Sequence, residues 1–154
     1  MNYITQQGYY RLTEELSFLW KKKRPEIVRA IATAAAEGDR SENAEYIYRK
    51  KELRETDWKI RHLERNLKDI RVVRDKPKQQ DKVFFGAWVL LEDESGETKE
   101  LRIVGGIEVR LEEGEISMHS PVAKALLGKN LEDEVTVLLP DNHKQYYYIV
   151  GIRY

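Results

Sequence analysis

Two long apolar stripes, each stepping by three and four residues and separated by a short glycine-containing segment, constrain this chain more than any other feature. Tyr9, Leu12, Leu16 and Leu19 mark one face of a helix that the pattern predicts from about Thr5 to Glu37. Thr5 stands at its N-cap position, and Pro25 falls inside it, where a missing N–H must kink the helix or shift its register. Beyond the proline, Ile27, Ala30, Ile31, Ala34 and Ala35 continue the stripe in smaller side chains, which lets a partner helix approach closely. Gly38 suits a helix stop. A second helix is predicted from about Asp39 or Ser41 to Arg74, with Leu53, Thr56, Ile60, Leu63, Leu67 and Ile70 as its seam. Two such helices joined by so few residues must lie side by side and antiparallel. With about 33 residues in each arm and 1.5 Å per residue, the pair would be roughly 50 Å long. That is too long to be covered by the remaining part of the chain, so the tip is expected to project into solvent or into a partner.

The rest of the chain has a different character. Asp75 to Lys82 is polar and contains Pro77, as a linker would. After it, strands are predicted over Val83–Leu91, Leu101–Val104, Glu115–Met118, Val135–Leu139 and Tyr146–Ile152, with a turn at Asp93-Glu94-Ser95-Gly96. Pro121–Leu127 reads as one short helix closed by Gly128. In the run Tyr146-Tyr147-Tyr148, strand alternation puts the first and third rings on one face and the second on the other. The expected fold is therefore α+β: an N-terminal antiparallel coiled-coil hairpin over residues 1–75, a linker at 76–82, and a small antiparallel sheet domain with one helix over 83–154. Charge divides in the same way. Residues 1–75 carry 17 Lys+Arg against 13 Asp+Glu, and residues 76–154 carry 10 against 14, which suggests two modules with different partners.

Several chemistries are excluded or disfavoured. There is no cysteine, hence no disulfide framework and no thiolate metal site. His62, His119 and His143 are scattered without ligand spacing. The first twenty residues include Arg11, Glu14 and Glu15 and no apolar run of signal-peptide length, and no stretch approaches a membrane span, so a cytoplasmic protein without membrane association is expected.

The chemistry-bearing segment is the tip, Gly38-Asp39-Arg40-Ser41-Glu42-Asn43-Ala44-Glu45-Tyr46. Two readings of its acids stand side by side. Asp39 and Glu42 have the spacing of a capping box, with Ser41 as an alternative cap. They are also carboxylates at the far end of a rod, with Arg49, Lys50, Lys51 and Arg54 about 10–18 Å behind them. A basic stripe behind an acidic point attracts a polyanion while presenting hard oxygen ligands, of the kind Mg²⁺ takes, to a phosphate. Two carboxylates cannot hold a complete two-metal hydrolytic site. They can complete one that a partner supplies.

These residues, together with others spread along the chain, resemble the bacterial transcript cleavage factors of the GreA/GreB family, and the GreB branch more than the GreA branch. The resemblance runs through the tip, through Tyr9 with Leu12, Glu15, Leu16, Leu19-Trp20 and Arg24-Pro25-Glu26, through Val83-Phe84-Phe85-Gly86-Ala87-Trp88-Val89 and Arg102-Ile103-Val104-Gly105, and through Ile116-Ser117-Met118-His119-Ser120-Pro121 with Ala123-Lys124-Ala125-Leu126-Leu127. It implies a transcription elongation factor that enters the secondary channel of RNA polymerase and stimulates endonucleolytic cleavage of nascent RNA in backtracked complexes, without catalysis of its own. By this resemblance Asp39 and Glu42 are the acids that assist the second Mg²⁺ and the attacking water. The ion is shared with the polymerase active centre and is not held tightly by the free protein. Ser41 and Asn43 support the tip, and Arg49, Lys50, Lys51 and Arg54 face the 3′ end of the extruded RNA. The C-terminal domain would be FKBP-like and grip a β′ coiled coil at the channel rim through His119, Ser120 and Pro121, with the free factor a monomer.

The resemblance also leaves a contrasting possibility, a secondary-channel regulator that does not cleave. Three positions depart from the family pattern. Glu52 interrupts the basic run, His119 stands where an acid is common, and Glu132-Asp133-Glu134 stands where a glycine usually precedes the acid.

Overall fold

The computed structural model describes residues 2–38 and 42–154. Asp39, Arg40 and Ser41 therefore lie outside the described residues. The chain forms two compact units, one made of Gln7–Ile70 and the other of the residues up to Gln6 together with Arg71–Tyr154.

In the helical unit, α1 (Gln6–Phe18) passes into a π-helical turn (Leu19–Lys23) and then α2 (Arg24–Ala35). After the reversal, α3 (Ala44–Leu67) returns antiparallel to them. The seam of the first arm is Leu12, Leu19, Ile27 and Ala34, each no more than 4% exposed. These residues step by seven, eight and seven. A heptad seam tolerates an eight-residue step only if one extra residue is wound into the helix, and the π turn does this: Arg24 N–H reaches back five residues to the Leu19 carbonyl. Pro25 supplies the cause, since it lacks an N–H for the preceding turn and its ring crowds the carbonyl four residues back. Thr56, Ile60 and Leu63 are the buried seam of α3, with Leu53 and Leu67 half-buried at its ends. Ion pairs fasten the flanks: Arg24 to Asp57 at 2.7 Å and Lys59 to Glu15 at 2.7 Å. Trp20 Nε1 donates to Glu64 at 2.9 Å.

The first helix begins at Gln6, next to the predicted N-cap position, whereas the second ends at Leu67, short of the predicted Arg74. Tyr3–Thr5 is a strand, β1, and Arg71–Val73 is another, β2, and the two pair in parallel. The second helix stops at Leu67 because Lys68 is extended and Asp69 sits at φ 59°, in the left-handed region. Residues Tyr3–Thr5 and Arg71–Val73 therefore belong with the sheet unit and not with a hairpin of residues 1–75.

The larger sheet has the order β5-β4-β3-β7-β6, built from β3 (Trp88–Asp93), β4 (Thr98–Val104), β5 (Glu115–Ser117), β6 (Glu134–Leu138) and β7 (Lys144–Arg153). It is antiparallel except for β4 with β5, which pair in parallel, so the sheet is mixed where a purely antiparallel one was expected. The short helix α4 (Pro121–Leu126) covers one face and closes a core of Val83, Val89, Leu91, Ile103, Leu126, Val137 and Ile149, all at or near zero exposure. Tyr147 points into this core, and Tyr146 and Tyr148 are half exposed on the other face, as strand alternation requires. Val83–Ala87 is not a strand. Lys82 makes one bridge to Asn130, and a turn closes from the Ala87 amide to the Phe84 carbonyl. Among the described residues no helix is long and apolar enough to cross a membrane.

Glu132, at the position where the resemblance anticipates a glycine, has φ 74°. A side chain there strains the backbone, while its amide still donates to the Ile149 carbonyl at 2.8 Å. Glu132→Gly is expected to stabilise the protein by about 0.5–1 kcal/mol, the relieved strain exceeding the added flexibility of the unfolded chain. A rise in the midpoint of chemical denaturation checks it.

Candidate functional site: the helical reversal and its basic flank

The reversal between the arms is built from three identifiable devices. The first arm ends in a tightened turn, with the Ala36 amide on the Ala32 carbonyl and the Glu37 amide on the Ala34 carbonyl. Gly38 follows at φ 140°, a backbone region that side-chain-bearing residues rarely enter. On the far side, Asn43 caps α3, its Oδ1 accepting from the Tyr46 amide at 3.0 Å. The same side chain ties the arms together, because its Nδ2 donates to the Ala34 carbonyl at 2.7 Å. Ala34 is almost fully buried and small, which is what allows one amide side chain to span the gap.

This arrangement corrects the capping expectation. Helix α3 begins at Ala44 with Asn43 as its cap, so Glu42 is not the third helical residue of a capping box. Glu42 instead lies in the turn, exposed, and has no hydrogen bond or ion pair among the described residues. Asn43, expected to support the tip, is the cap of α3 and the bridge to Ala34. The expected roles of Asp39 and Ser41 fall on residues outside the described ones. Among the described residues no cluster of three acidic or histidine side chains is placed to hold a metal ion. An exposed carboxylate fits the donor chemistry of Mg²⁺, and it fits as part of a shared coordination shell.

The four basic residues behind the tip are not equivalent. Arg49 is half-buried and clamped between two carboxylates, Glu45 at 2.9 Å and Glu52 at 2.8 Å. These hydrogen bonds, the one to Glu52 first, raise its already high pKa and hold the charge in place. Its field is largely cancelled by its neighbours. Glu52, the acid that interrupts the run, is therefore a partner of Arg49. Lys51 makes a long contact of 3.9 Å with Glu55. Lys50 and Arg54 are exposed and make no ion pair with any described residue. Lys51 also lines a groove of about 270 Å³ together with Lys23, Tyr48 and Lys59. Lys23 and Lys59 were not singled out from the sequence. For Lys23 the signal was the run Lys21-Lys22-Lys23, whose last member lines this groove.

In the sheet unit, the predicted grip residues sit on the entry to α4. Ser120 is the N-cap, its Oγ accepting from the Ala123 amide at 3.2 Å, and Pro121 occupies the first turn. His119 is exposed, with its Nε2 at 3.2 Å from the Asn2 Oδ1. Ser120 thus has a local structural task, and His119 and Pro121 are the surface-facing members of the three.

The comparisons with known proteins concern the whole chain. Residues 2–72 match the sequence family described as "Transcription elongation factor, N-terminal", and residues 78–154 match "Transcription elongation factor, GreA/GreB, C-term". Among curated relatives, a transcription elongation factor GreB of Haemophilus influenzae is 56% identical over 139 residues, covering 90% of this chain and 88% of the relative. The GreB of Yersinia pestis is 50% identical over 153 residues, covering 99% and 89%. Among solved structures, a GreA/GreB elongation factor from Nitrosomonas europaea covers the full length of both chains at 22% identity with a TM-score of 0.45. The GreA factor homolog 1 (Gfh1) of Thermus thermophilus covers 99% of this chain at 26% identity with a TM-score of 0.43.

Proposed function

Because this chain belongs to the GreA/GreB family of transcription elongation factors, we propose that it acts on backtracked RNA polymerase, delivering its tip through the secondary channel and stimulating endonucleolytic cleavage of the nascent RNA. The observation that carries this reading is Glu42, an exposed carboxylate left out of the helix cap because Asn43 does the capping. A tip whose acids were needed for folding would have engaged Glu42 in that cap.

In this reading the chain contributes position and charge, and no catalysis of its own. Asn43 fixes the reversal, and Asp39 and Glu42 are brought to an active centre whose own acids hold one Mg²⁺. One carboxylate of this pair would hold the second ion in part, and that ion, when bound, lowers the pKa of a water and neutralises charge developing on the phosphate. The carboxylate of the pair that does not bind the ion orients the attacking water. His119 and Pro121 take part in the grip on the channel rim. Lys50, Lys51 and Arg54 face the RNA extruded past the active centre.

The test is direct. Polymerase stalled in a backtracked complex is mixed with the protein and Mg²⁺, and short 3′ RNA fragments are followed with time. Fragments released at a rate well above that of polymerase alone support the reading. Slowed elongation with no fragments would instead identify a secondary-channel regulator that does not cleave.

The unequal charges of the basic flank give a further expected result. Arg54→Glu should reduce cleavage of complexes with long extruded RNA about 10-fold, through lost attraction for phosphates, and leave the shortest fragments nearly unaffected. Arg49→Gln should change fragment yields less than 2-fold, because its charge is already offset by Glu45 and Glu52. The comparison is read from the fragment-length distribution at two salt concentrations. Equal loss in both variants would remove the distinction.

A further inference from the structure

One face of α3 is unpartnered and has a composition that the seam does not explain. Trp58 is 58% exposed there. At 100° per residue, Lys51, Arg54, Arg61, His62 and Arg65 all fall within about 60° of it around the helix. All six are exposed. The buried seam of Thr56, Ile60 and Leu63 lies on the opposite side. Trp58 therefore contributes nothing to the packing of the two arms.

Its ring nevertheless has a packing partner. Trp58 and His62 are stacked, with centroids 4.8 Å apart and an interplanar angle of 10°. The imidazole lies against one face of the indole, and more than half of the tryptophan surface is open to solvent. Arg54, Arg61 and Arg65 flank it and make no ion pair with any described residue. One acid, Glu55, also falls on this face about 60° from Trp58, in a long contact of 3.9 Å with Lys51. An isolated exposed indole is common on protein surfaces and has no consequence. An exposed π-face stacked on an imidazole, one helical turn from guanidinium groups without ion pairs on either side, has the makings of a single-strand nucleic-acid site, in which bases stack and phosphates meet guanidinium groups.

We propose that this face of α3 is a stacking platform for single-stranded RNA, with Trp58 receiving a base, His62 bracing the ring, and Arg54, Arg61 and Arg65 meeting the phosphates on either side. The charge argues for a polyanion over a protein surface, because an apolar partner would leave three guanidinium groups desolvated. Stacking is tolerant of sequence, so little base preference is expected. The identity of the RNA as extruded transcript rests on the proposed cleavage role. The platform itself does not, and its test needs no polymerase.

The full chain is titrated against a labelled oligouridylate of about 12 nucleotides at low salt, with fluorescence anisotropy as the readout. Trp58→Leu should weaken binding about 10-fold, and Trp58→Tyr, which keeps a π-face, should stay within about 3-fold of the parent. Binding of a blunt RNA duplex of equal length, whose bases are not free to stack, should be the same in all three. Unchanged circular dichroism and thermal midpoint are expected for Trp58→Leu, given the position of the seam. The measurement contains no polymerase and no cleavage step, so a failure of the cleavage reading would leave this result untouched. Equal affinity of Trp58→Leu and the parent, no rescue by tyrosine, an equal loss for duplex, or no measurable oligonucleotide binding by the parent would each overturn the proposal. So would a Trp58→Leu protein that binds RNA normally yet no longer competes for the polymerase channel, which would make the face a protein contact.

Discussion

Glu42→Gln is expected to lower stimulated transcript cleavage by about 100-fold or more while the variant still enters and occupies the polymerase channel. The substitution keeps the shape of the side chain and removes the negative charge. An amide oxygen is a poor substitute for a carboxylate toward Mg²⁺, and it cannot serve as a base toward water. Removal of one preorganised electrostatic partner from an active centre typically costs about 10²–10³ in rate. The fold has no stake in the change, because Asn43 caps α3 and bridges to Ala34 without help from Glu42. Asp39→Asn is expected to act in the same direction, and the double variant should be no worse than about 10-fold below the more damaged single one, since the two acids serve one event. The measurement is the single-turnover rate of fragment release from a stalled complex, alongside inhibition of parent-stimulated cleavage by excess variant. Cleavage by the double variant at the parent rate would sink the proposed role of the tip. Loss of both cleavage and competition would point to damage in the hairpin.

The sequence made the two arms visible for a plain physical reason. Leu12, Leu19, Ile27 and Ala34 bury one stripe of a helix, and burial imposes a period that can be read without coordinates. The sheet strands were visible for the corresponding reason, and Tyr146-Tyr147-Tyr148 alternates as its neighbours do. The reversal was less legible. Asp39, Ser41 and Asn43 are all good N-cap residues and stand within five positions of one another, so local preference does not choose among them. The choice is made by a tertiary contact, the bond from Asn43 Nδ2 to the Ala34 carbonyl nine residues back. The π turn left a trace in the eight-residue step from Leu19 to Ile27, which is meaningful only once the seam is known. Strands β1 and β2 were hidden altogether. Each has three residues, each continues the apolar pattern of an adjoining helix, and their pairing spans most of the first half of the chain.

That hidden pairing underlies the largest expected effect on folding. Gly105→Ala should destabilise the sheet unit by about 2–4 kcal/mol and release β1 from it. A Cβ at Gly105 would lie 2.1 Å from the Tyr3 carbonyl oxygen and 2.9 Å from the Glu108 Oε2. The first of these is backbone, so it cannot swing away as a long side chain would. The second belongs to a buried carboxylate, 2% exposed, that organises the whole corner. Glu108 Oε2 accepts from the Thr5 amide at 2.8 Å and from the Gly105 amide at 2.7 Å, and its Oε1 accepts from the Thr5 hydroxyl. One acid thus satisfies donors from two segments separated by about 100 residues, and the added methyl presses against it from the Gly105 side. Glu108→Ala should act on the same corner by the opposite route, leaving two buried amides without an acceptor at a cost of about 1–3 kcal/mol each. Amide hydrogen exchange separates local from global effects. In both variants the amides of β1 and β2 should lose protection first, with Val89, Val137 and Ile149 protected until global unfolding. The core around α4 holds those strands independently of Gly105. Retained protection at Ile4 and Val73 in Gly105→Ala would show that the corner can relax around a methyl group, and that the close approach of Tyr3 is not what requires glycine there.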